Sequence, residues 1–345
     1  MSVWYRMHKV VRQIKHSLPT AKDVANRAGV SQSTVSRVLS RTGYVDVKTA
    51  LKVRQAAQEL GYIVNGAARS VRTQRTGDIG IVVPSISNPF YAETIEVFIQ
   101  VARKAGKRVL IQVTDDDPAR HEDVIDDLLS KRVEGLIIAS APMVDKYLAN
   151  LIKKNCPVPC IFYNRKLDND DGNWIVPNNR TGSLSAVKYL VRGGHKHIIY
   201  ISGPILYSTT KERLDGYLNA VAQFNLEPLV YESDLGYDGS YGLVSRAFQA
   251  DRKCATAIIT SNDLMAIGAM DALWDMNLSV GQDVAVIGFD DIKMGSFRGI
   301  RLTTVAQNKN EMASKAISSL LNLVNGKETV VREVVPQELI VRSTA

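Results

Sequence analysis

Four polar side chains, Gln32, Ser33, Ser36 and Arg37, alternate with Val35, Val38 and Leu39 at helical spacing in the stretch that begins at Ser31. An amide, two hydroxyls and a guanidinium turned outward on a helix can hydrogen-bond to the edges of base pairs, so this face can read DNA. A second polar set stands where apolar runs end: Pro84-Ser85-Ile86-Ser87-Asn88-Pro89-Phe90, Tyr163-Asn164-Arg165, Ser261-Asn262-Asp263 and Gly288-Phe289-Asp290-Asp291. Amides, hydroxyls and carboxylates beside an aromatic suit a polyhydroxylated ligand, because polar groups bridge neighbouring hydroxyls while a ring covers the apolar sugar face. Asn88 and Asn262 are equally natural helix caps, and those two positions keep both readings.

The elements that position the first set lie on either side of Gly29. Thr20 caps a first helix and Asp23 returns the bond, while Val24, Ala25 and Ala28 make one apolar stripe. Small Ala25, a turn at Gly29 and an inward Val35 let the two helices cross closely, as a helix-turn-helix requires; an ordinary helical hairpin has the same spacing. Asp46 caps a third helix whose Ala50, Val53, Ala57 and Leu60 repeat at three and four residues and which ends before Gly61. The surroundings decide between the two readings. Residues 1–76 hold 14 Lys and Arg against 3 Asp and Glu, which leaves 29 against 32 for the remainder. A front of +11 beside a body of −3 provides the phosphate-neutralising face that nucleic-acid binding needs.

The second set needs strands that end in a common place. From Asp78 onward, short β-rich runs alternate with helical stretches: Ile79–Val83, Val109–Val113, Leu136–Ala139 and Val158–Phe162, then Ile198–Ile201, Thr256–Thr260 and Val284–Phe289. Two doubly wound parallel-sheet lobes follow, with a helix at Asn310–Val324 and runs at Val330–Val335 and Leu339–Val341 completing one or both. Ligands of open α/β sheets bind beyond the carboxyl ends of the strands, so facing lobes make a cleft. At 345 residues, with 45% hydrophobic and 23% charged residues, the chain has room for two or three globular domains. Its three cysteines, Cys156, Cys160 and Cys254, imply no disulfide framework, and Cys156 and Cys160 have no second cysteine or histidine pair nearby to make a metal site. No apolar run reaches membrane-spanning length and residues 1–19 lack a secretory core, so the expected location is the cytoplasm.

The chain resembles the lactose-repressor and galactose-repressor family of bacterial transcription regulators from about Thr20 to its end. The resemblance is carried by KDVANRAGVSQSTVSRVL at Lys22–Leu39, ELGY at Glu59–Tyr62, NGAARS at Asn65–Ser70 and IGIVVPSISNPFYAE at Ile79–Glu93. GGHKHI at Gly193–Ile198, RLDGY at Arg213–Tyr217, SNDLMAIGAM at Ser261–Met270 and IGFDDI at Ile287–Ile292 continue it in the same order. It implies an N-terminal all-α helix-turn-helix domain (20–61); the basic residues 1–19 ahead of it, without a clear apolar period, read by themselves as a flexible arm with no assigned role. A hinge-helix linker (62–76) and a core of the periplasmic-binding-protein-like type I fold (77–345) follow. The N-lobe is expected over about 77–176 and 306–328, the C-lobe over about 177–305 and 329–345.

The resemblance also implies roles. Gln32, Ser33 and Arg37 contact bases, Arg37 by two bonds to guanine and Gln32 by pairing with adenine, with Ser31 and Ser36 beside them. Asn65, Ala68, Arg69 and Val71 belong to a hinge that folds on the operator. Val71 stands where the family has a leucine that levers base pairs apart, and Val64 stands where it often has proline. The effector groups carry over to Ser85, Phe90, Asn164, Arg213, Asn262, Asp290 and Gln307, with Arg213 and Asp290 expected to grip vicinal hydroxyls from opposite lobes. Asn164 and Asn178 depart from aspartates usual in sugar-responsive relatives. The partners implied are double-stranded operator DNA, a sugar or sugar-like effector and a second copy in a homodimer, since the C-terminus lacks the leucine heptads that join dimers. No cofactor, metal or catalytic residue is expected. A purine-type co-repressor is the alternative effector. A sugar-binding protein without a DNA role is opposed by the basic front, and a nucleotide-dependent enzyme by the lack of a GxxxxGK[ST] loop.

Overall fold

The computed structural model describes residues 19–40, 43–62, 75–154, 156–168 and 172–345, which fall into two units divided between Thr76 and Gly77. The arm up to residue 18 lies outside the described residues. So do Val64, Asn65, Ala68, Arg69 and Val71 of the linker.

The first unit is three helices, α1 (Ala21–Ala28), α2 (Gln32–Ser40) and α3 (Val47–Glu59). Thr20 and Asp23 close a reciprocal capping box at the start of α1, and Gly29 ends it at φ 68°, a left-handed turn that costs glycine no Cβ clash. Asp46 accepts from Thr49 N at the start of α3. Val24, Ala25, Val35, Val38, Val53, Ala56 and Ala57 form the core, so each helix contributes the stripe its spacing marks.

The second unit has two lobes. The first contains β1 (Asp78–Val83), α4 (Pro89–Lys104), β2 (Arg108–Val113), α5 (His121–Ser130), β3 (Leu136–Ile138), α6 (Lys146–Lys153), β4 (Cys160–Tyr163) and β5 (Asn173–Pro177). The second contains α7 (Asn179–Arg192), β6 (Ile198–Ser202), α8 (Ser208–Gln223), β7 (Leu229–Glu232), α9 (Tyr237–Ala250), β8 (Ala257–Thr260), α10 (Asp263–Asp275), β9 (Ala285–Asp290) and β10 (Thr303–Gln307). The chain then returns to the first lobe with α11 (Lys309–Val324) and β11 (Arg332–Val335), and ends in the second with β12 (Gln337–Ile340). The sheets run β11-β5-β4-β3-β1-β2, wholly parallel, and β12-β10-β9-β8-β6-β7, parallel but for β12. Helices cover both faces of each sheet, which is why β1 and β9 are buried along their whole length and read as continuous apolar runs.

The last crossing between lobes comes later than expected. Arg332 of β11 pairs with Trp174 of β5, so the chain stays in the first lobe through Val335 instead of leaving near residue 329. Pro336, which has no N–H to continue a ladder, separates β11 from β12. The first-lobe return starts at α11, because Thr303–Gln307 pairs with β9 and β12 in the second sheet. Strand β4 starts at Cys160 instead of Val158, directly after Pro159.

Candidate functional site

On α2, Gln32, Ser33 and Arg37 are exposed and Ser36 is half-buried, while Val35 and Val38 on the opposite face anchor the helix. Ser31 stands just before the helix: its hydroxyl lies 2.8 Å from that of Ser33 and 2.9 Å from that of Thr34, and it accepts from Thr34 N. Ser31 and Ser33 therefore order the helix start as well as facing outward, and the long donors left at the surface are Gln32 and Arg37. A helix entering the major groove with its first turn would present this set to base edges.

In the second unit a cleft opens at the carboxyl ends of both sheets. Asn88, Phe90, Tyr91, Asn164 and Arg165 line it from the first lobe, and Thr209, Thr210, Arg213, Leu235, Ser261, Asn262 and Asp290 from the second. The space between these atoms, open mouth included, is about 320 Å³.

Arg213 and Asp290 do not face each other across the cleft. Both belong to the second lobe, Arg213 on α8 and Asp290 at the end of β9, and Arg213 Nη2 pairs with Asp290 Oδ1 at 3.3 Å. The rest of the guanidinium is also engaged: Nε donates to Asn179 Oδ1 at 2.9 Å, Nη1 donates to Ser261 O, and the plane lies 4.4 Å from the centroid of Phe289. The expectation of a grip from opposite lobes fails: α8 packs on β6 and β9 belongs to the same sheet, in line with the expected C-lobe of about 177–305 that holds both residues. Gln307 Nε2 donates to the same Asp290 oxygen at 2.5 Å. Burial pushes the Asp290 carboxyl up in pKa, against the pull of Arg213. Asp263 behind it is wholly buried and held well above the usual carboxylate range, by burial first and the charge of Asp290 second. Its oxygens accept from Ile292 N at 2.8 Å and Thr304 Oγ1 at 2.5 Å. Gly288 leaves the room: a Cβ there would come within 2.2 Å of Asp263 Oδ1.

The first lobe supplies Arg165 instead. It pairs with Asp116 at 2.5 Å and stacks 3.7 Å from the centroid of Tyr207 of the second lobe, so it spans the two. Nearby, Met143 N donates to Leu206 O and Lys166 N to Ser208 Oγ. At the far side Lys309 pairs with Glu93 at 2.9 Å and donates to Asp291 O, while Glu93 accepts from Lys293 N. These contacts hold the lobes against one another. Arg165 Nε and Asn164 Oδ1 are buried without a protein partner among the described residues, whereas Asn164 Nδ2 reaches Tyr91 Oη at 3.4 Å.

Of the seven residues the sequence singled out for this cleft, Phe90, Asn164, Arg213, Asn262 and Asp290 line it. Ser85 turns to Ser87, 2.9 Å away, and Gln307 stands behind Asp290. Asn262 caps α10 through Met265 N and donates to Leu235 O, so both ends of its amide are in use. Arg165 and Ser261 lay in the strand-end loops and were legible there. Tyr91, Thr209, Thr210 and Leu235 carried no signal. A Ser140–His121–Asp145 chain, with bonds of 2.8 Å and 2.7 Å to the ring nitrogens, has the residue types of a hydrolytic triad. All three are buried away from the cleft, and Asp145 caps α6, so the chain joins α5 to α6.

Residues 20–65 match the lacI family of bacterial regulatory proteins, and residues 187–345 match a periplasmic binding protein-like domain. The chain is 32% identical over 332 residues to the HTH-type transcriptional repressor PurR of Histophilus somni (strain 2336), covering 95% of this chain and 99% of that one. It is also 32% identical over 310 residues to the ribose operon repressor of Escherichia coli (strain K12), at 89% and 93% coverage. A lac repressor dimer bound to operator and the anti-inducer ONPF is similar in structure, with a TM-score of 0.85 and 28% identity over 94% of this chain and 98% of that one.

Proposed function

The chain belongs to the LacI family of bacterial regulatory proteins, and from that premise we propose a homodimeric repressor whose operator affinity is set by a neutral, monosaccharide-sized effector in the cleft. Membership makes it a DNA-binding transcriptional regulator under small-molecule control and not an enzyme. Gln32, Ser33 and Arg37 read bases, Ser31 and Ser36 lie against the backbone, and Asn65, Ala68, Arg69 and Val71 seat the hinge. Residues 20–61 thus read DNA, 62–76 transmit, and 77–345 bind effector and dimerise. The protein acts in the cytoplasm, at the nucleoid.

The observation that carries the effector class is the charge balance of the cleft. Arg165 has Asp116, Arg213 has Asp290 and Lys309 has Glu93, so a phosphate or carboxylate would bring a charge that these arginines and this lysine already have matched. Hydroxyls suit the unsatisfied Asn164 Oδ1 and Arg165 Nε, since a hydroxyl both donates and accepts. PurR of Histophilus somni and the ribose operon repressor of Escherichia coli are similar to this chain at equal identity, so similarity does not choose an effector. The lining does. Phe90 and Tyr91 stand edge to face at 77° on the first lobe and Leu235 is the apolar contribution of the second, so a flat purine would find aromatic cover on one side. Asn164, Arg213, Asn262 and Asp290 then hold hydroxyls, Phe90 covers the sugar face, Gln307 orients Asp290, and Ser85 is assigned with them.

Thermal unfolding with neutral pentoses and hexoses, their phosphates, and purine bases tests this reading. A raised Tm with neutral sugars alone is the expected result; stabilisation by purines or by sugar phosphates only would overturn it.

A further inference from the structure

We propose that Asp116 is the residue that keeps anions out of the cleft: by pairing with Arg165 it turns a buried cation into a neutral hydrogen-bonding surface, and so selects a neutral effector over its phosphate ester. The proposal rests on the neutral-effector reading above and adds the residue that decides it. Three observations carry it. Arg165 lines the cleft with a side chain only 4% exposed, and its Nη1 donates to Asp116 Oδ1 at 2.5 Å. Asp116 stands behind it, outside the lining and 35% exposed, so it is a positioning residue that acts through Arg165. The third observation is its backbone. Asp115 and Asp116 follow β2 at φ 53° and 57°, two consecutive left-handed residues where glycine would be free of strain. Asp116 N donates to Pro84 O at 3.2 Å and Asp117 N to Thr114 O at 3.0 Å, which holds this turn. Its result is that the Asp116 carboxylate meets Arg165, while Asp115 meets Arg120 at the surface.

Electrostatics then sorts the ligands. A guanidinium taken out of water and left without a counterion is a strong site for a phosphate group, which it holds by charge-assisted bonds. With the Asp116 carboxylate on Nη1 that charge is already met. A phosphate arriving at the same guanidinium stands near a second anion, and this like-charge meeting favours the neutral ligand. The neighbouring cations do not take over, since Arg213 is paired with Asp290 and Lys309 with Glu93. The ring of Tyr207 supports the guanidinium at 3.7 Å whatever the charge of Asp116, so Arg165 keeps its place when that carboxylate is neutralised. Its Nε, buried without a protein partner among the described residues, remains the donor for a neutral hydroxyl.

Asp116→Asn removes the charge but keeps the shape, an acceptor for Nη1 and tolerance of the left-handed backbone. Asp116→Gly removes the side chain and relieves the backbone. Full-length parent and variants are titrated calorimetrically with glucose and ribose, with glucose 6-phosphate and ribose 5-phosphate, and with inorganic phosphate. In both Asp116 variants the affinity for the phosphate esters or for inorganic phosphate should rise at least about tenfold above the parent, a gain that a damaged fold does not produce. Asp115→Asn removes the same charge one residue away, where the partner is the exposed Arg120, and should gain nothing. Adding Arg165→Met to Asp116→Asn should abolish the gain, which separates it from phosphate held by basic residues elsewhere in the chain. No gain in either Asp116 variant, an equal gain in Asp115→Asn, or a gain that survives the loss of Arg165 would overturn the proposal. If the neutral sugars leave the parent unbound while Asp116→Asn gains phosphate, the neutral-effector reading falls and the role of Asp116 stands. If a neutral sugar binds the parent and neither Asp116 variant gains, the reading stands and the role of Asp116 falls.

Discussion

The two lobes each bring one arginine to the cleft and hold it differently. Arg213 of the second lobe is spoken for on every side, by Asn179, Ser261, Asp290 and the ring of Phe289. Arg165 of the first lobe pairs with Asp116, stacks on Tyr207 of the other lobe and keeps a buried Nε without a protein partner among the described residues. One lobe carries a prebuilt polar platform; the other carries a donor whose satisfaction depends on what enters and on whether the lobes stay together. On the proposed reading, an effector would gain most of its new contact energy at the first lobe, while the second would fix orientation.

Removing Arg213 should have the largest effect. Arg213→Ala leaves Asp290 buried without its cation and Asn179 without its donor, a class of change that costs about 3–5 kcal/mol. Urea unfolding should show that loss; a cost under about 1 kcal/mol would mean the platform is not held by this arginine. Arg165→Ala should cost less, roughly 1–3 kcal/mol, because Asp116 is partly exposed and can hydrate. Its signature is different: effector binding should weaken at least about tenfold by calorimetry while the midpoint of unfolding falls less than in Arg213→Ala. If the two variants lose stability equally, the contrast between the lobes is gone.

Arg37→Ala lies in the other unit and should leave both arginine effects untouched. It should cost about 1–3 kcal/mol of operator affinity and relax preference at one base pair per half-site. Equal weakening on all sequences in a site-selection experiment would make Arg37 a phosphate contact instead. The smallest effect concerns Asp263. A carboxyl held above its usual value when folded binds its proton more tightly in the folded chain, so its contribution to stability falls as the pH rises from about 4 toward the raised value. The penalty of Asp263→Asn should consequently be larger at pH 4.5 than at pH 7. A penalty independent of pH would contradict the sign.

The DNA-reading unit was legible almost residue by residue because its determinants are local: a capping box at Thr20 and Asp23, a left-handed Gly29, and Val35 and Val38 spaced for one face. The alternating core was legible as a class for the same reason, since β1 and β9 are covered on both faces and have no polar stripe. Strands β5, β7 and β10 were hidden because Asn173, the exposed edge at Val230 and Tyr231, and the threonines at Thr303 and Thr304 break the apolar pattern. Lobe membership is a property of topology. The sequence bounds put Arg213 and Asp290 in one lobe, yet the pairing of β11 with β5 was not marked, which moved the final crossing from Pro336 to near residue 329. Arg165 was visible at a strand end, yet its distinction is an unmet Nε, which only coordinates reveal.

The central claim is that the cleft and the operator are linked, and a reciprocal titration tests it most directly. Operator affinity is measured with and without the neutral sugar that gives the largest thermal shift, and affinity for that sugar is measured with and without operator. The account predicts one coupling free energy, typically about 1–3 kcal/mol, of equal size in both directions, and its disappearance in Arg165→Ala. Tight binding of both ligands with no mutual effect would contradict it.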